Sequence, residues 1–366
     1  MEFNELDAGS YTVDVEATLS GALSGVGSAE VAVTEGETAS CSVLMNRVYT
    51  AAQAAERISD NNGENWNIIV AGPIDDDGLL EIAKNLKDVL TEGCISLDLG
   101  RTTGLSSIGV TKFQNCTALS AIVLPEGIGS IDENAFDGCT SLASVTIPDT
   151  VNEIGQFAFL NCSALKRIEI PNSVTTITSG AFRDCTALTS IEIPRGVITI
   201  GSDSFNGCTA LESIEIPDSV TTIERAAFHG CSSLTDVYIP DSVTEIGNQT
   251  FTKCSNLKSI VLSAGITSIA EQVFRECTAL TSIEIPDGVS EIKSSAFMSC
   301  EVLESITIPV SVTSIETSAF VSCNKLESVK YKGLSSDWSG IAIDSNNPFE
   351  SGSGIKIICS DNTITL

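Results

Sequence analysis

The segment CSALKRIEIPNSVTTITSGAFRD, residues 162–184, determines the fold of this chain, because its pattern returns every 23 residues. Ten cysteines mark the copies, and each has a phenylalanine three residues before it and a leucine three residues after it. A period of roughly 20–50 residues is typical of a solenoid, since one repeat cannot bury its apolar face alone and must stack on copies of itself. The ten are Cys116, Cys139, Cys162, Cys185, Cys208, Cys231, Cys254, Cys277, Cys300 and Cys323.

Each repeat is predicted to contribute one strand to a parallel sheet on one face of the solenoid. Ile168 and Ile170 alternate with polar residues, so both point inward from a strand. Pro171 lacks a backbone donor and ends that strand. After a corner, a valine and an isoleucine turn inward again, and Phe182 lies in a short irregular or helical turn that leads to Cys185. The pattern therefore predicts a mostly β solenoid with short helical turns.

A known family has the same spacing, written LxxIxIPxxVxxIxxxAFxxC. The positions that match it in one repeat are Leu188, Ile191, Ile193, Pro194, Val197, Ile200, Phe205 and Cys208. Over residues 108–329 the chain resembles the BspA-like family of leucine-rich repeats. Ser204 stands in place of the family's alanine, Ser263-Ala264 replace a Pro-Asp turn, and Tyr331-Lys332 replace the last Ile-Pro. The resemblance implies a right-handed leucine-rich-repeat horseshoe or superhelix of the α/β type.

The segments on either side of the repeats are predicted to form separate parts. Residues 1–48 contain three alternating runs rich in valine and threonine, which predict a partial antiparallel β module. Residues 49–100 contain two predicted helices and two predicted strands and are predicted to form an N-terminal cap. The helix and strand from Asp75 to Leu99 look similar to the N-terminal cap of spirochaete members of the family. Residues 101–330 hold about ten repeats, and residues 331–366 are predicted to form a C-terminal cap in which Trp338 covers the last repeat.

The charge of the chain argues against several classes of partner. Asp and Glu outnumber Lys and Arg by 48 to 19, which gives a formal net charge of −29. Nucleic-acid binding needs clustered basic residues, and so does a polybasic contact with a membrane. No apolar run reaches the ~18 residues that span a bilayer. The first residues lack the basic and apolar regions of a secretory signal, so either the chain is an excised piece or it is not exported by that route.

The cysteines of the ladder are predicted to be free, buried thiols. Equivalent residues of stacked strands lie about 4.8 Å apart and point the same way, whereas a disulfide needs Cβ atoms roughly 3.5–4.5 Å apart in a specific geometry. Short CxxC pairs, typical of zinc sites, do not occur. Cys41, Cys94 and Cys359 lie outside the ladder. We therefore predict no metal and no cofactor; the redox state of the ladder stays open.

Catalysis finds little support in the sequence. The single histidine, His229, lies in a column that holds arginine, aspartate, leucine and other types in the other repeats, which indicates a variable and exposed position. A lone histidine without an orienting partner is a poor general base. The chain contains no nucleophile elbow, P-loop, HExxH or dinucleotide fingerprint. The protein is therefore predicted not to be an enzyme.

The residue seven positions after each ladder cysteine is predicted to project outward between two inward strand positions. This set, called the front column below, is the candidate ligand-binding surface, because the exposed strand face of a curved solenoid is the usual contact surface. An acidic stretch there adjoins a tyrosine and a valine. The alternative is that these side chains only keep the sheet face soluble. The candidate binding residues are Glu169, Glu192, Glu215, Tyr238, Val261 and Glu284.

A ladder of threonine and serine on a side face is predicted to be a hydrogen-bonded surface. Its members are Thr175-Thr176, Thr221-Thr222, Thr244 and Thr313-Ser314. The paired residues are adjacent and interrupted, unlike the flat TxT array of ice-binding solenoids.

The functional hypothesis from the sequence is a non-catalytic protein-binding or adhesion module. The family resemblance implies a bacterial cell-surface or secreted protein that contacts host or neighbouring-cell proteins, including extracellular matrix glycoproteins. The alternative is a structural spacer that presents another module. An enzyme would need a site in the first hundred residues, where no motif stands out. The oligomeric state stays open.

Overall fold

The structure is a computed structural model that describes residues 9–19, 22–33, 46–59, 65–88 and 94–366. The chain forms two compact units. The first comprises Met1–Leu105 with Ala118–Glu126, and the second comprises Ser106–Thr117 with Gly127–Leu366. The division into four parts at residues 48, 100 and 330 stays a prediction about domains.

The first unit begins with an antiparallel hairpin. Strands Gly9–Leu19 and Ala22–Val33 pair along their length, and strand Asn46–Tyr49 pairs antiparallel with the second of them. Antiparallel pairing of the first two predicted strands is therefore present. The third predicted strand, around residues 39–43, lies outside the described residues.

The rest of the first unit alternates strands and helices. Strands Asn46–Tyr49, Trp66–Pro73, Ile95–Thr103 and Leu119–Val123 pair in parallel, and the helices are Ala51–Ser59 and Asp76–Asp88. The backbone N–H of Gln53 donates to Thr50 Oγ1 at 3.3 Å, and that of Gly78 donates to Asp75 Oδ1 at 2.9 Å. Both side chains satisfy N–H groups that a helix start leaves unpaired. The two helices predicted within residues 49–100 are thus confirmed.

The second unit contains two rows of short parallel strands, one predicted and one not. The predicted row, called the front strands, lies at the isoleucine-rich segment of the repeats. The prediction of one such strand in every repeat is wrong for the segments after Cys162, Cys185 and Cys208, where Glu192 and Glu215 make only an isolated bridge. The members of the row are Ser144–Thr146, Asp236–Tyr238, Ser259–Val261, Ser282–Glu284, Ser305–Ile308, Ser328–Tyr331 and Lys356–Ile358. Where they pair within the repeats, each residue faces its equivalent 23 positions later, as Val237 faces Ile260.

The second row, called the side strands, lies after the corner. Each is only two residues long and ends in an isoleucine. This isoleucine is buried in the core in nine of the strands, as at Ile177 and Ile200, and half-buried at Ile246 and Ile343. Neighbours pair in parallel, as Thr176 with Thr199 and Thr199 with Thr222. The members are Ser107–Ile108, Ser130–Ile131, Glu153–Ile154, Thr176–Ile177, Thr199–Ile200, Thr222–Ile223, Glu245–Ile246, Ser268–Ile269, Glu291–Ile292, Ser314–Ile315 and Ala342–Ile343.

The predicted hydrogen bonding of the threonine ladder is confirmed at Thr221, Thr244 and Thr313, whose hydroxyls donate to carbonyls of the preceding repeat. The hydroxyl of Thr221 donates to the carbonyl of Ile198 at 3.4 Å, and that of Thr313 donates to the carbonyl of Ser290 at 3.2 Å. These bonds use the hydroxyl donors to connect one turn of the solenoid to the next.

The phenylalanine of each repeat lies in a turn, and the ten rings form one buried column. Successive rings from Phe113 to Phe320 have centroids 5.1–5.9 Å apart and planes within 21° of parallel. Every ring is at most 1% exposed. Such distances fit offset stacking, which adds to the burial of each ring. The turns themselves are not helical, because residues such as Asn161 and Asp184 adopt positive φ angles of 58°.

The ladder cysteines have a structural role beyond filling space. The Sγ–H of Cys231 donates to the carbonyl of Phe205, one repeat earlier, at 3.2 Å. Nine of the ten cysteines, from Cys139 to Cys323, make the equivalent bond at 3.0–3.2 Å. All ten ladder cysteines are buried, and the nine from Cys139 to Cys323 are free thiols. The free thiols of Cys94 and Cys359 are only partly buried. Each thiol therefore satisfies a carbonyl of the turn below it.

The last repeat is covered by aromatic side chains. The ring of Phe349 packs edge-on against Phe320 at 5.2 Å and against Trp338 at 5.7 Å. Trp338 ends the short helix Ser335–Trp338 and also contacts Tyr331. The chain finishes with strand Thr363–Thr365, antiparallel to Lys356–Ile358. Trp338 is buried as predicted, but Phe349 is the residue that meets the phenylalanine column.

Ser204→Ala is expected to stabilise the protein by about 1–2 kcal/mol, because a buried hydroxyl without a partner keeps its desolvation cost. Ser204 is fully buried, its hydroxyl has no hydrogen-bond partner, and the equivalent residues Ala181 and Ala227 are alanines. Urea unfolding at neutral pH measures the change.

Thr250 provides the matched control, because it occupies the same column and its hydroxyl donates to the carbonyl of Gly247 at 2.7 Å. Thr250→Ala should give no gain. A loss of stability in Ser204→Ala would contradict the assignment of an unsatisfied hydroxyl.

Candidate functional site

Alternation along the extended front segments places the front column on the outside. Ile191 and Ile193 are 7% and 4% exposed, and Glu192 between them is exposed. The same order holds in the neighbouring repeats, because successive side chains of an extended segment point to opposite faces. All six predicted binding residues are exposed, namely Glu169, Glu192, Glu215, Tyr238, Val261 and Glu284.

Three of the six form an acidic stack on successive turns. Glu169, Glu192 and Glu215 are equivalent residues on successive turns, whose backbones lie about 4.8 Å apart in a parallel stack. Within residues 94–366 none of the three forms an ion pair. Like charges at this spacing repel, and the stack therefore presents negative charge that no ion pair within residues 94–366 offsets.

An apolar pair adjoins the acidic stack on the next two turns. Tyr238 and Val261 face each other in parallel front strands, and they are 59% and 58% exposed. The inward neighbours Val237 and Ile260 are buried, which fixes the strands against the core. A tyrosine and a valine with this exposure form an apolar spot beside four carboxylates of the same face.

A groove of about 780 Å³ joins the two features. Glu192, Glu215, Tyr238 and Val261 all line it. The other predicted residues lie elsewhere. Glu169 lines a smaller hollow of about 260 Å³, which Glu192 lines as well. Glu284 pairs with Lys332 Nζ at 2.9 Å. Four of the six predicted site residues are thus brought together, while Glu284 belongs to a separate ion pair.

Three charged residues of the groove were missed by the sequence analysis. Arg195, Asp218 and Asp236 line it together with the predicted residues. The repeat pattern contains a signal for two of them. Arg195 stands where most repeats have aspartate or asparagine, and Asp236 stands in a column that is otherwise mostly serine. Both residues could have been found by looking, on the turns next to the candidate residues, for residue types that differ from the rest of their column.

The comparisons with known proteins agree with this repeat geometry. The profile of the family described as BspA type leucine rich repeat region matches six copies, over residues 106–235 and 221–341. Together these ranges cover well over half of the 366 residues. The chain belongs to this family. Among curated proteins no sequence matches the chain.

Solved structures similar to this BspA-type chain come from several bacteria. The pneumococcal vaccine antigen PcpA shares 16% identity over 95% of this chain and 93% of its own, with a TM-score of 0.50. A leucine-rich cell surface protein of Faecalibacterium prausnitzii shares 25% identity over 91% and 99%, with a TM-score of 0.40. A leucine-rich repeat protein of Eubacterium ventriosum shares 20% identity over 92% and 94%, with a TM-score of 0.45.

The electrostatics of the groove in this BspA-type chain favour a cation. A hydrogen bond from Ser259 and another from Thr235 lower the pKa of the Asp236 carboxyl below its ordinary value, so Asp236 stays ionised at neutral pH. Outside the groove, hydrogen bonds to Asp287 and Glu284 raise the pKa of Lys332, which keeps this lysine positively charged. The groove therefore offers four carboxylates and a single guanidinium.

His229 is half-buried rather than fully exposed. Its Nδ1 lies 3.2 Å from Asn206 Oδ1 of the preceding repeat. Burial lowers the pKa of the imidazole, and Lys253 contributes in the same direction. The ring is thus neutral at pH 7 and bonded to an amide. It lines neither of the two hollows on the strand face.

The ladder thiols are held in their protonated form. Burial raises the pKa of Cys208 and of Cys254 to about 12, and a thiol with such a pKa is a poor nucleophile and a poor metal ligand at neutral pH. In the part of the chain that the structure describes, His, Cys, Asp and Glu form no group of three or more that could hold a metal ion. None of the described helices has the length and apolar character needed to cross a bilayer.

Proposed function

We propose that this BspA-type array is a non-catalytic protein-binding module that recognises its partner through the front column. The observation that carries the proposal is the exposure of Tyr238 and Val261 directly beside the unpaired carboxylates of Glu192 and Glu215. Tyrosine is enriched among residues that dominate binding energy, and a polar rim around an apolar spot is the common arrangement of an interface.

The setting of the module is a bacterial cell surface, where it acts in adhesion. A similar solved protein, from Faecalibacterium prausnitzii, is described as a leucine-rich cell surface protein. The partners are host or neighbouring-cell proteins of the extracellular-matrix type. Their contact regions carry basic residues, because the face that receives them is acidic. The function needs no cofactor and no metal.

A structural spacer is the second candidate, and one observation favours it. The phenylalanine column runs without interruption through ten repeats and ends on Phe349. Each repeat contacts its neighbours through this column, and such an array can hold another module at a distance. The spacer does not need Tyr238 or the acidic stack.

The variant Glu192→Lys, Glu215→Lys, Tyr238→Ala is expected to weaken partner binding at least tenfold, because it reverses the charge of the groove and removes the aromatic anchor. All three side chains are exposed, so the fold should remain intact. The measurement is equilibrium binding to a panel of matrix and plasma glycoproteins at physiological salt, with circular dichroism as the check on folding.

The matched control is Glu245→Lys, Glu291→Lys, Ile198→Ala, which likewise makes two charge reversals and one truncation of an exposed apolar side chain, on or beside the side strands. Binding by the control should stay within about twofold of the native chain. Equal losses in both variants would attribute binding to net charge and not to the front column. Absence of binding across the panel would favour the spacer.

A further inference from the structure

We propose that the groove on the front column binds an extended segment with the pattern Arg-x-Arg-x-aromatic. This inference rests on the proposed function and assigns the chemistry of the partner at Glu192, Glu215, Tyr238 and Val261.

The backbone of the groove is more open than the strands that follow it. Between Thr146 and Asp236 the described front segments form no regular strand pair, and Glu192 with Glu215 make a single isolated bridge. The N–H of Thr235 reaches the Glu212 carbonyl at 3.4 Å, whereas one turn later the N–H of Lys258 reaches the Thr235 carbonyl at 2.8 Å. The turns that carry Glu215 and Tyr238 are therefore joined by fewer and longer backbone hydrogen bonds than the two turns that follow.

The charge of the groove selects a cationic partner. Glu192, Glu215, Asp218 and Asp236 line the groove together with a single basic residue, Arg195. In residues 94–366 no ion pair joins Arg195 to any of these four carboxylates. The groove thus has a net charge of −3, from four carboxylates and one guanidinium, and positive charge on a ligand offsets the repulsion within the acidic stack.

The spacing of the groove selects an extended segment of five residues. Glu192 and Val261 lie three turns apart, which is about 14 Å at about 4.8 Å per turn. An extended chain advances about 3.3 Å per residue and points alternate side chains to one face, so residues 1, 3 and 5 span about 13 Å. Two such side chains reach Glu192 and Glu215, and the third reaches the apolar pair.

The chemistry of the lining favours arginine over lysine. A guanidinium presents a planar fork that bonds a carboxylate through two parallel N–H groups, and it also stacks on an aromatic ring. Glu215 and Tyr238 occupy neighbouring turns and offer both kinds of contact to one side chain. An ammonium group, as a compact charge, makes only one of them at a time. The fifth residue of the segment, an aromatic, covers Val261.

Arg195 is expected to oppose the ligand. It is the one basic residue in the lining of the groove, and it is exposed. Removal of its charge should therefore strengthen binding of an arginine-containing segment, because a like charge within a Debye length lowers the affinity. An increase in affinity is a result that loss of folding cannot produce.

The test uses fluorescence anisotropy with the full chain and labelled peptides. The probes are Gly-Arg-Ser-Arg-Ser-Phe-Gly, the same peptide in reverse order, and a version of each with lysine in place of arginine. We expect saturable binding of one arginine peptide, and about fivefold or more weaker binding of its lysine version. Glu215→Gln and Tyr238→Ala should each weaken binding about fivefold or more, and Arg195→Gln should strengthen it about twofold or more.

The matched control is Glu284→Gln, since Glu284 lies in the same column but pairs with Lys332 outside the groove. It should change the affinity by less than about twofold. No saturable binding of either arginine peptide, equal binding of the lysine versions, or equal effects of Glu215→Gln and Glu284→Gln would overturn the proposal.

The outcome also separates this inference from the proposed function. If the peptides fail while a glycoprotein still depends on Glu192, Glu215 and Tyr238, the front column remains the binding surface and the arginine pattern is wrong. If the peptides bind as expected while no protein of the panel binds, the groove has the assigned chemistry and the adhesion partner is wrong.

Discussion

Phe228→Ala is expected to lower the free energy of unfolding by about 3–5 kcal/mol, because it leaves a cavity the size of a ring in the middle of the solenoid. The ring is fully buried, and its centroid lies 5.4 Å from that of Phe205 and 5.6 Å from that of Phe251. Neighbouring rings are held by their own repeats and cannot collapse fully into the space. The loss therefore includes the transfer free energy, the cavity and two stacking contacts.

Urea unfolding followed by circular dichroism measures this change, with Phe228→Leu as a graded comparison that keeps part of the volume. Phe349→Ala is the matched control, since Phe349 is half-buried at the end of the column and its neighbours can relax toward solvent. It should cost clearly less than Phe228→Ala. Equal costs at the two positions would indicate that the column is not a continuous packing unit.

Residues that recur at fixed positions made much of the fold predictable. The cysteine, phenylalanine and leucine columns predict a stacked array, and the alternation around Glu192 predicts which side chains face outward. These columns are visible because the same buried environment recurs in all ten repeats. Each buried position therefore accepts only a few residue types. A residue that differs from its column is also informative. Ser204 replaces the alanine of the neighbouring repeats, and its buried hydroxyl has no hydrogen-bond partner.

Contacts that depend on the stacking register could not be predicted. The side strands are two residues long, too short for an alternation pattern to reveal. The bond from Cys231 to the carbonyl of Phe205 joins residues 26 positions apart, and only the stacked arrangement brings them together. In the sequence, the cysteine column is equally consistent with thiols that only fill apolar space. Their hydrogen bonds become evident only in the three-dimensional structure.

The sequence predicted which column of the candidate site is exposed, but it did not predict which residues of other columns lie beside it. The front column correctly identified Glu192, Glu215, Tyr238 and Val261 as exposed, yet it also included Glu284, which pairs with Lys332. A groove joins residues from different columns on adjacent turns, as Arg195 and Asp236 show. Which columns lie side by side across turns depends on the path of the backbone, and a single repeat does not specify it.

Stability is expected to fall steeply above pH 9, because the ladder thiols stay protonated in the folded chain. Burial raises the pKa of Cys323 from 9.0 to about 12, and it raises the pKa of Cys231 well above 9.0. In the unfolded chain these thiols ionise near their ordinary value. A raised folded pKa means that the stabilisation is fully present below pH 9 and is lost as the pH rises toward the folded pKa.

The expected loss is about 1.4 kcal/mol per thiol between pH 7 and pH 10, from the linkage relation for a group that titrates at 9.0 only when unfolded. The pKa is raised at nine ladder positions, Cys139, Cys162, Cys185, Cys208, Cys231, Cys254, Cys277, Cys300 and Cys323. Their sum approaches the whole stability of an ordinary domain, about 5–15 kcal/mol. We therefore expect unfolding of the repeats near pH 10 in reducing buffer.

The variant Cys208→Ala, Cys231→Ala, Cys254→Ala isolates the contribution of the thiols. Its stability at pH 7 is lower, because three hydrogen bonds to the Phe182, Phe205 and Phe228 carbonyls are lost. Its loss between pH 7 and pH 10 should nevertheless be smaller than that of the native chain by about 4 kcal/mol, since three titrating groups are gone. Lysine and tyrosine titrate alike in both proteins, so their effects cancel in this difference. An equal pH-dependent loss in the two proteins would mean that the buried thiols ionise as readily in the folded chain as in the unfolded one.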